Sequence, residues 1–122
     1  MVYFIRAKYY FNYAKDLFSQ LKETYPSLNE EKFIKKTEEI IFIGLKSLWA
    51  LSKVYAPEKS PSFEEVLAEA FKALEEKDKT FIKSLISSLK SEHNKADLKK
   101  EKFLFQLEEF FKILQKELKP IL

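Results

Sequence analysis

Among its 122 residues the chain has no cysteine, one glycine, one histidine and one arginine. Each shortage removes a class of chemistry. Without cysteine there is no disulfide, no thiolate nucleophile and no Cys-ligated metal, and the reducing cytoplasm becomes the expected compartment. A single glycine cannot supply a GxGxxG or Walker loop, because those loops need several glycines for the backbone to approach phosphate closely. One glycine and four prolines are also too few for a sheet joined by tight turns. The lone histidine cannot build the two Glu-x-x-His pairs of a di-iron carboxylate bundle, and it leaves no His cluster for zinc. No cofactor and no metal are therefore expected. Long apolar runs are missing too. The longest, "IIFIGL", falls far short of the ~20 residues that span a bilayer, so no membrane partner is expected. The opening "MVYFIRAKYYFNYAKD" does not read as a signal peptide, since Arg6, Lys8 and Lys15 break its apolar run and no small-residue cleavage site follows.

What the chain does have is lysine, glutamate and aromatic residues. There are 21 lysines, 12 phenylalanines and six tyrosines, and the formal net charge is +3. A Lys/Glu-rich, Cys-free composition resembles that of hyperthermophile proteins. An AT-rich genome would favour the same codons. The length suits one domain over residues 1–122, large enough to bury a core without covalent staples.

Apolar residues recur at spacings of three and four, which predicts helices. In the first segment, from about Tyr3 to Thr24, Phe4, Phe11, Phe18 and Tyr25 repeat every seven residues. Ala7, Ala14 and Leu21 form a second stripe, and Tyr3, Tyr10 and Leu17 a third. Seven residues nearly match two turns, so the stripes share one broad face. Pro26 should end this helix. "SLNE" then offers a capping box, Ser27 with Glu30, with Asn29 as a competing cap. A second helix is predicted from about Glu30 to Tyr55. Its stripe is Ile40, Gly44, Leu48, Leu51 and Tyr55. A helix-interior glycine costs up to ~1 kcal/mol against alanine, so Gly44 implies close approach of a neighbour.

"APEKSPS" is a short polar loop, too short to link domains. "SFEE" follows as a capping box, Ser62 with Glu65. The third helix carries Phe63, Val66, Leu67, Ala70, Phe71 and Leu74. "EEKDKT" interrupts it, and Asp78 or Thr80 is predicted to cap a short fourth helix bearing Phe81, Ile82, Leu85, Ile86 and Leu89. After the loop "EHNKAD", Asp97 should cap a last helix running to about Lys119, with Phe103, Leu104, Leu107, Phe110, Phe111, Leu114 and Leu118 on one face. Three long helices and two short ones, with short connections, predict an all-α, antiparallel four- to five-helix up-and-down bundle. No solenoid-period repeat is visible.

No reaction is identified by these residues. The pairs Glu38–Glu39, Glu64–Glu65, Glu75–Glu76 and Glu108–Glu109 are adjacent, so their side chains point ~100° apart and do not converge on one substrate. Ser88 and Ser91 stand five and two positions from His93 and do not face it on a helix. Between Lys77 and Lys102 eight lysines meet four acidic residues, a local excess of four positive charges. Lys90, Lys95, Lys99 and Lys100 surround His93, the candidate contact set for nucleic acid. Lysines neutralise phosphate without reading sequence. No interleaved aromatics or arginines add stacking or bidentate readout. His93 itself extends the Leu89 stripe and suits a helix C-terminus, where a cation meets the negative end of the dipole.

The layout resembles the HEPN superfamily of small helical bundles. "IIFIGLKSLWAL" is similar to that family's small-and-apolar second helix. "SEHNKADLKKEKFLFQLEEFFKIL" resembles its histidine, polar loop and final amphipathic helix. The resemblance is one of pattern over most of the chain. It implies a bundle that dimerises, and a nucleotidyltransferase-like companion protein. Catalytic members are ribonucleases with an arginine, a polar residue, and a histidine after four to six intervening positions. Such a motif would end at His93 here. The positions that would hold its arginine are Ile86, Ser87 and Ser88, so the resemblance does not carry nuclease activity to this chain.

The first helix has more apolar surface than one neighbour covers. Val2, Ile5, Tyr9 and Tyr13 lie on an adjoining face, and tyrosine suits an interface because its ring is buried while its hydroxyl stays wet. A homodimer through these four residues is the expected partner arrangement. The functional expectation is a non-catalytic interaction protein. The alternatives are RNA binding through the lysines around His93, and a small molecule held between helices.

Overall fold

The computed structural model describes residues 2–52, 60–92 and 99–122, with side chains over 4–52, 60–91 and 99–122. Among these residues the chain is all-α. Five helices occur: α1 (Val2–Thr24), α2 (Glu30–Leu51), α3 (Phe63–Lys72), α4 (Glu76–Glu92) and α5 (Lys100–Leu118). Residues Tyr25–Ser27 and Lys119–Ile121 form single 3-10 turns. Each turn has a proline in its first two positions, where no intrahelical N–H is required. No strand interrupts Ile40–Leu51, which is helical throughout.

The stripes of α1 partition by size. Ala7, Ala14 and Leu21 are completely or almost completely buried, and Phe11 and Phe18 nearly so. Small alanines at two successive heptad positions let α1 lie close to its principal neighbour, α2. Phe18 stacks on Phe111 of α5 with ring centroids 5.2 Å apart, and Phe11 meets the same ring edge-on at 6.2 Å. Fully burying one such side chain is worth roughly 1.5–3 kcal/mol before entropy is counted. A continuous core thus draws on all five helices.

α2 is the central element. Phe33, Ile34, Ile40, Ile41, Gly44, Leu45, Leu48, Trp49 and Ala50 are buried. Two polar residues share that interior, and each satisfies itself locally. Thr37 Oγ1 donates to Phe33 O at 2.9 Å, and Ser47 Oγ donates to Gly44 O. Gly44 opens the path for α5: a Cβ there would lie 2.6 Å from a Phe110 ring carbon and 2.9 Å from a Leu114 methyl.

Four local expectations need correction. The N-cap of α2 is Asn29, whose Oδ1 accepts from Lys32 N at 2.8 Å. Ser27 Oγ instead donates back to Thr24 O at 2.9 Å, inside the 3-10 turn that Pro26 creates. α4 is not short: it spans 17 residues and begins at Glu76. Asp78 and Thr80 therefore lie inside it rather than capping it. Thr80 Oγ1 donates to Glu76 O at 2.9 Å, and Asp78 is turned inward toward α5. Ser62 does cap α3, its Oγ accepting from Glu65 N at 3.2 Å. Asp97 and Tyr55 lie outside the described residues, and the N-cap position of α5 is Lys99, which makes no side-chain cap hydrogen bond, rather than the expected Asp97.

Candidate functional site

Three surfaces hold the residues singled out above or otherwise bear on function. The first is the outer face of α1. A helix advances about 100° per residue, so positions four apart stack along one face. Ile5 is 70% exposed, Tyr9 61% and Tyr13 40%. The Tyr9 and Tyr13 rings lie 6.0 Å apart, centroid to centroid. Tyr10 is half-buried, meets Tyr9 edge-on at 5.7 Å, and has Lys46 Nζ of α2 4.9 Å from its ring centre. Val2 is helical, but its side chain lies outside the described residues.

The second is the lysine-rich segment. His93 and Lys95 lie outside the described residues. Lys90 is exposed near the end of α4, and Lys99 is exposed just before α5. Lys100 is half-buried and differently engaged. Its Nζ donates to Tyr25 O at 3.2 Å and also to Leu28 O. Both acceptors belong to the α1–α2 connection: Tyr25 O also accepts from Leu28 N at 3.2 Å within the 3-10 turn, and the Lys100 ammonium adds a second donor there while reaching Leu28 O. The structure therefore separates Lys100 from Lys90 and Lys99 by the work its ammonium does.

The third surface was not singled out by sequence. α2, α3 and α4 enclose an open groove of about 560 Å³. Ile41, Phe42, Phe63, Ile86 and Leu89 line it with apolar surface, and Phe42 meets Phe63 edge-on at 5.8 Å. Lys35, Glu38, Glu39, Glu64 and Lys90 complete the lining with charge. The available signal was width: Phe42, Phe63 and Ile86 sit at the margins of their apolar stripes and remain half-exposed. Phe105 on α5 is a separate exposed aromatic, at 67%.

One polar cluster ties two helices together. Lys116 Nζ of α5 donates to Asp78 Oδ2 of α4 at 2.8 Å and lies 3.7 Å from Glu75. The Asp78 side chain is only 9% exposed. The hydrogen bond to Asp78 raises the Lys116 pKa above its ordinary value, the charges of Asp78, Glu75 and Glu117 add to this, and desolvation opposes it. Of the four acidic pairs named from sequence, Glu75–Glu76 and Glu108–Glu109 are matched by lysines. Glu108 pairs with Lys22, Glu109 with Lys112 and Glu76 with Lys79. Such exposed pairs contribute at most about 1 kcal/mol each.

No group of three metal-ligating side chains occurs among the described residues. No described helix is long and apolar enough to cross a membrane. Comparison with protein-family models, with curated proteins and with solved structures finds no match to this chain.

Proposed function

We propose that this chain is a non-catalytic interaction protein, a HEPN-like antiparallel up-and-down bundle that works as a homodimer through the outer face of α1. The companion that the resemblance implies is a nucleotidyltransferase-like protein. Side-chain pairings support the antiparallel order. Tyr10 lies against Lys46, whereas Leu17 and Gln20 share a cleft with Lys36 and Ile40. Phe11 meets Phe111, Lys22 pairs with Glu108, and Tyr25 receives Lys100.

The observation that carries the reading is the exposure of Ile5, Tyr9 and Tyr13 on one helical face. Scattered apolar residues on a surface are ordinary, but three at successive i, i+4 positions form a stripe. The stripe is symmetric about Tyr9. Two antiparallel copies would place Tyr9 on Tyr9 and Ile5 on Tyr13, the self-complementary pattern that a two-fold interface requires.

Sedimentation across a range of concentrations tests this. The wild-type chain sediments as a dimer, and Tyr9→Asp with Tyr13→Asp sediments as a folded monomer. A dimeric double variant removes the interface, and a monomeric wild type removes the dimer. Mixed RNA is titrated in parallel. Binding that falls steeply with salt and vanishes with Lys95→Glu and Lys99→Glu would replace this reading with RNA contact.

A further inference from the structure

We propose that the groove between α2, α3 and α4 is a docking site for a basic amphipathic helix of a partner protein. The argument begins with charge. The chain is rich in lysine, and most acidic side chains of α4 and α5 already face one: Asp78 with Lys116, Glu76 with Lys79, Glu109 with Lys112. The groove differs. Glu38, Glu39 and Glu64 all line it, and none of the three is in an ion pair among the described residues. Lys35 on the same rim is matched by Glu31 at 3.3 Å. That leaves three carboxylates against Lys90. A protein of net charge +3 thus presents a locally negative rim, which suits a cationic partner.

The floor specifies the rest. Phe42, Phe63 and Ile86 offer half-exposed apolar surface inside an open trough rather than an enclosed cavity. The walls are helices, whose backbone groups are bonded internally. No strand occurs among the described residues, so the groove has no sheet edge to pair with an extended peptide. The occupant must therefore satisfy its own backbone, which a helix does. Apolar side chains at i, i+3 or i+4, and i+7 would fill the trough, while flanking lysine or arginine side chains reach Glu38, Glu39 and Glu64. This surface involves none of Ile5, Tyr9 or Tyr13, so it stands or falls independently of the α1 interface.

Fluorescence anisotropy with a labelled synthetic helix of leucine, alanine and lysine, about 18 residues or five turns long, tests the proposal on the whole chain. The lysine peptide binds the wild-type chain. Glu38→Lys, Glu39→Lys and Glu64→Lys together weaken it at least about tenfold, because charge reversal at the rim opposes each contact. The same charge change placed elsewhere, at Asp16, Glu23 and Glu101, leaves binding within about twofold, and circular dichroism confirms both variants folded. A glutamate version of the peptide prefers the groove variant over the wild type. Equal binding of the lysine peptide to both triple variants, or no binding to the wild type, overturns the proposal. Loss of self-association in the groove variant, without loss of peptide binding, assigns the groove to a second copy and overturns it too.

Discussion

Gly44 and Phe110 are in such close register that the absence of a single methyl group decides how α2 meets α5. A Cβ at Gly44 would lie 2.6 and 2.8 Å from two carbons of the Phe110 ring. Phe110 is completely buried and packs edge-on against Phe111 at 5.7 Å, so the ring has little room to retreat. Overpacking of this kind costs about 1–3 kcal/mol, against a helix-propensity gain of up to ~1 kcal/mol. Gly44→Ala should therefore destabilise by a net ~1–2 kcal/mol in urea unfolding. Combined with Phe110→Leu the two losses should fall short of additive, since the two sites touch.

The caps of α2 distinguish two neighbouring residues. Asn29→Ala should cost about 1 kcal/mol, because Lys32 N loses its acceptor. Ser27→Ala, at an exposed residue whose hydroxyl returns to its own turn, should stay within about 0.5 kcal/mol. A larger loss from Ser27→Ala than from Asn29→Ala in thermal unfolding would return the cap to Ser27.

Lys100 and Lys99 are adjacent in sequence and unlike in role. Lys100→Met removes the ammonium from Leu28 O and from Tyr25 O, the latter keeping its Leu28 N–H donor, and losing such part-buried hydrogen bonds should cost about 1 kcal/mol. Lys99 is exposed, and Lys99→Ala should fall within about 0.5 kcal/mol of wild type. The ranking is read from urea midpoints of the two variants.

The Lys116–Asp78 contact predicts an alkaline limit. The hydrogen bond to Asp78 raises the Lys116 pKa in the folded chain above the ordinary 10.5. A raised pKa favours the charged form, so the contact stabilises fully below pH 10.5 and loses its effect as pH climbs through the raised value. Wild type should lose stability faster than Lys116→Met above that pH. Parallel unfolding curves for the two over the alkaline range would show that the pair contributes nothing.

Helix existence and the buried faces were legible because they depend on local spacing. Ala7, Ala14 and Leu21, and Phe103, Leu107 and Leu114, recur with the helical period and are buried. The boundary of α4 was not legible. "EEKDKT" is polar and resembles a loop with capping residues. Lys116 reaches Asp78 from 38 positions away, and the pairing lets a carboxylate turn inward from a helix that the local pattern starts too late. The α1 face was legible as surplus apolar width, since the exposed Ile5, Tyr9 and Tyr13 fall outside the main stripes.

By itself the sequence determined the all-α character seen among the described residues, the face of each helix that turns inward, and the need for a close neighbour at Gly44. Those follow from backbone period and side-chain size, which act over a few residues. Only the tertiary structure decided that Lys100 serves the α1–α2 turn, that Asp78 faces Lys116, and that Phe42, Phe63 and Ile86 converge with Glu38, Glu39 and Glu64 on one groove. These relationships join residues tens of positions apart. Their energies depend on how helices cross, which no local pattern encodes.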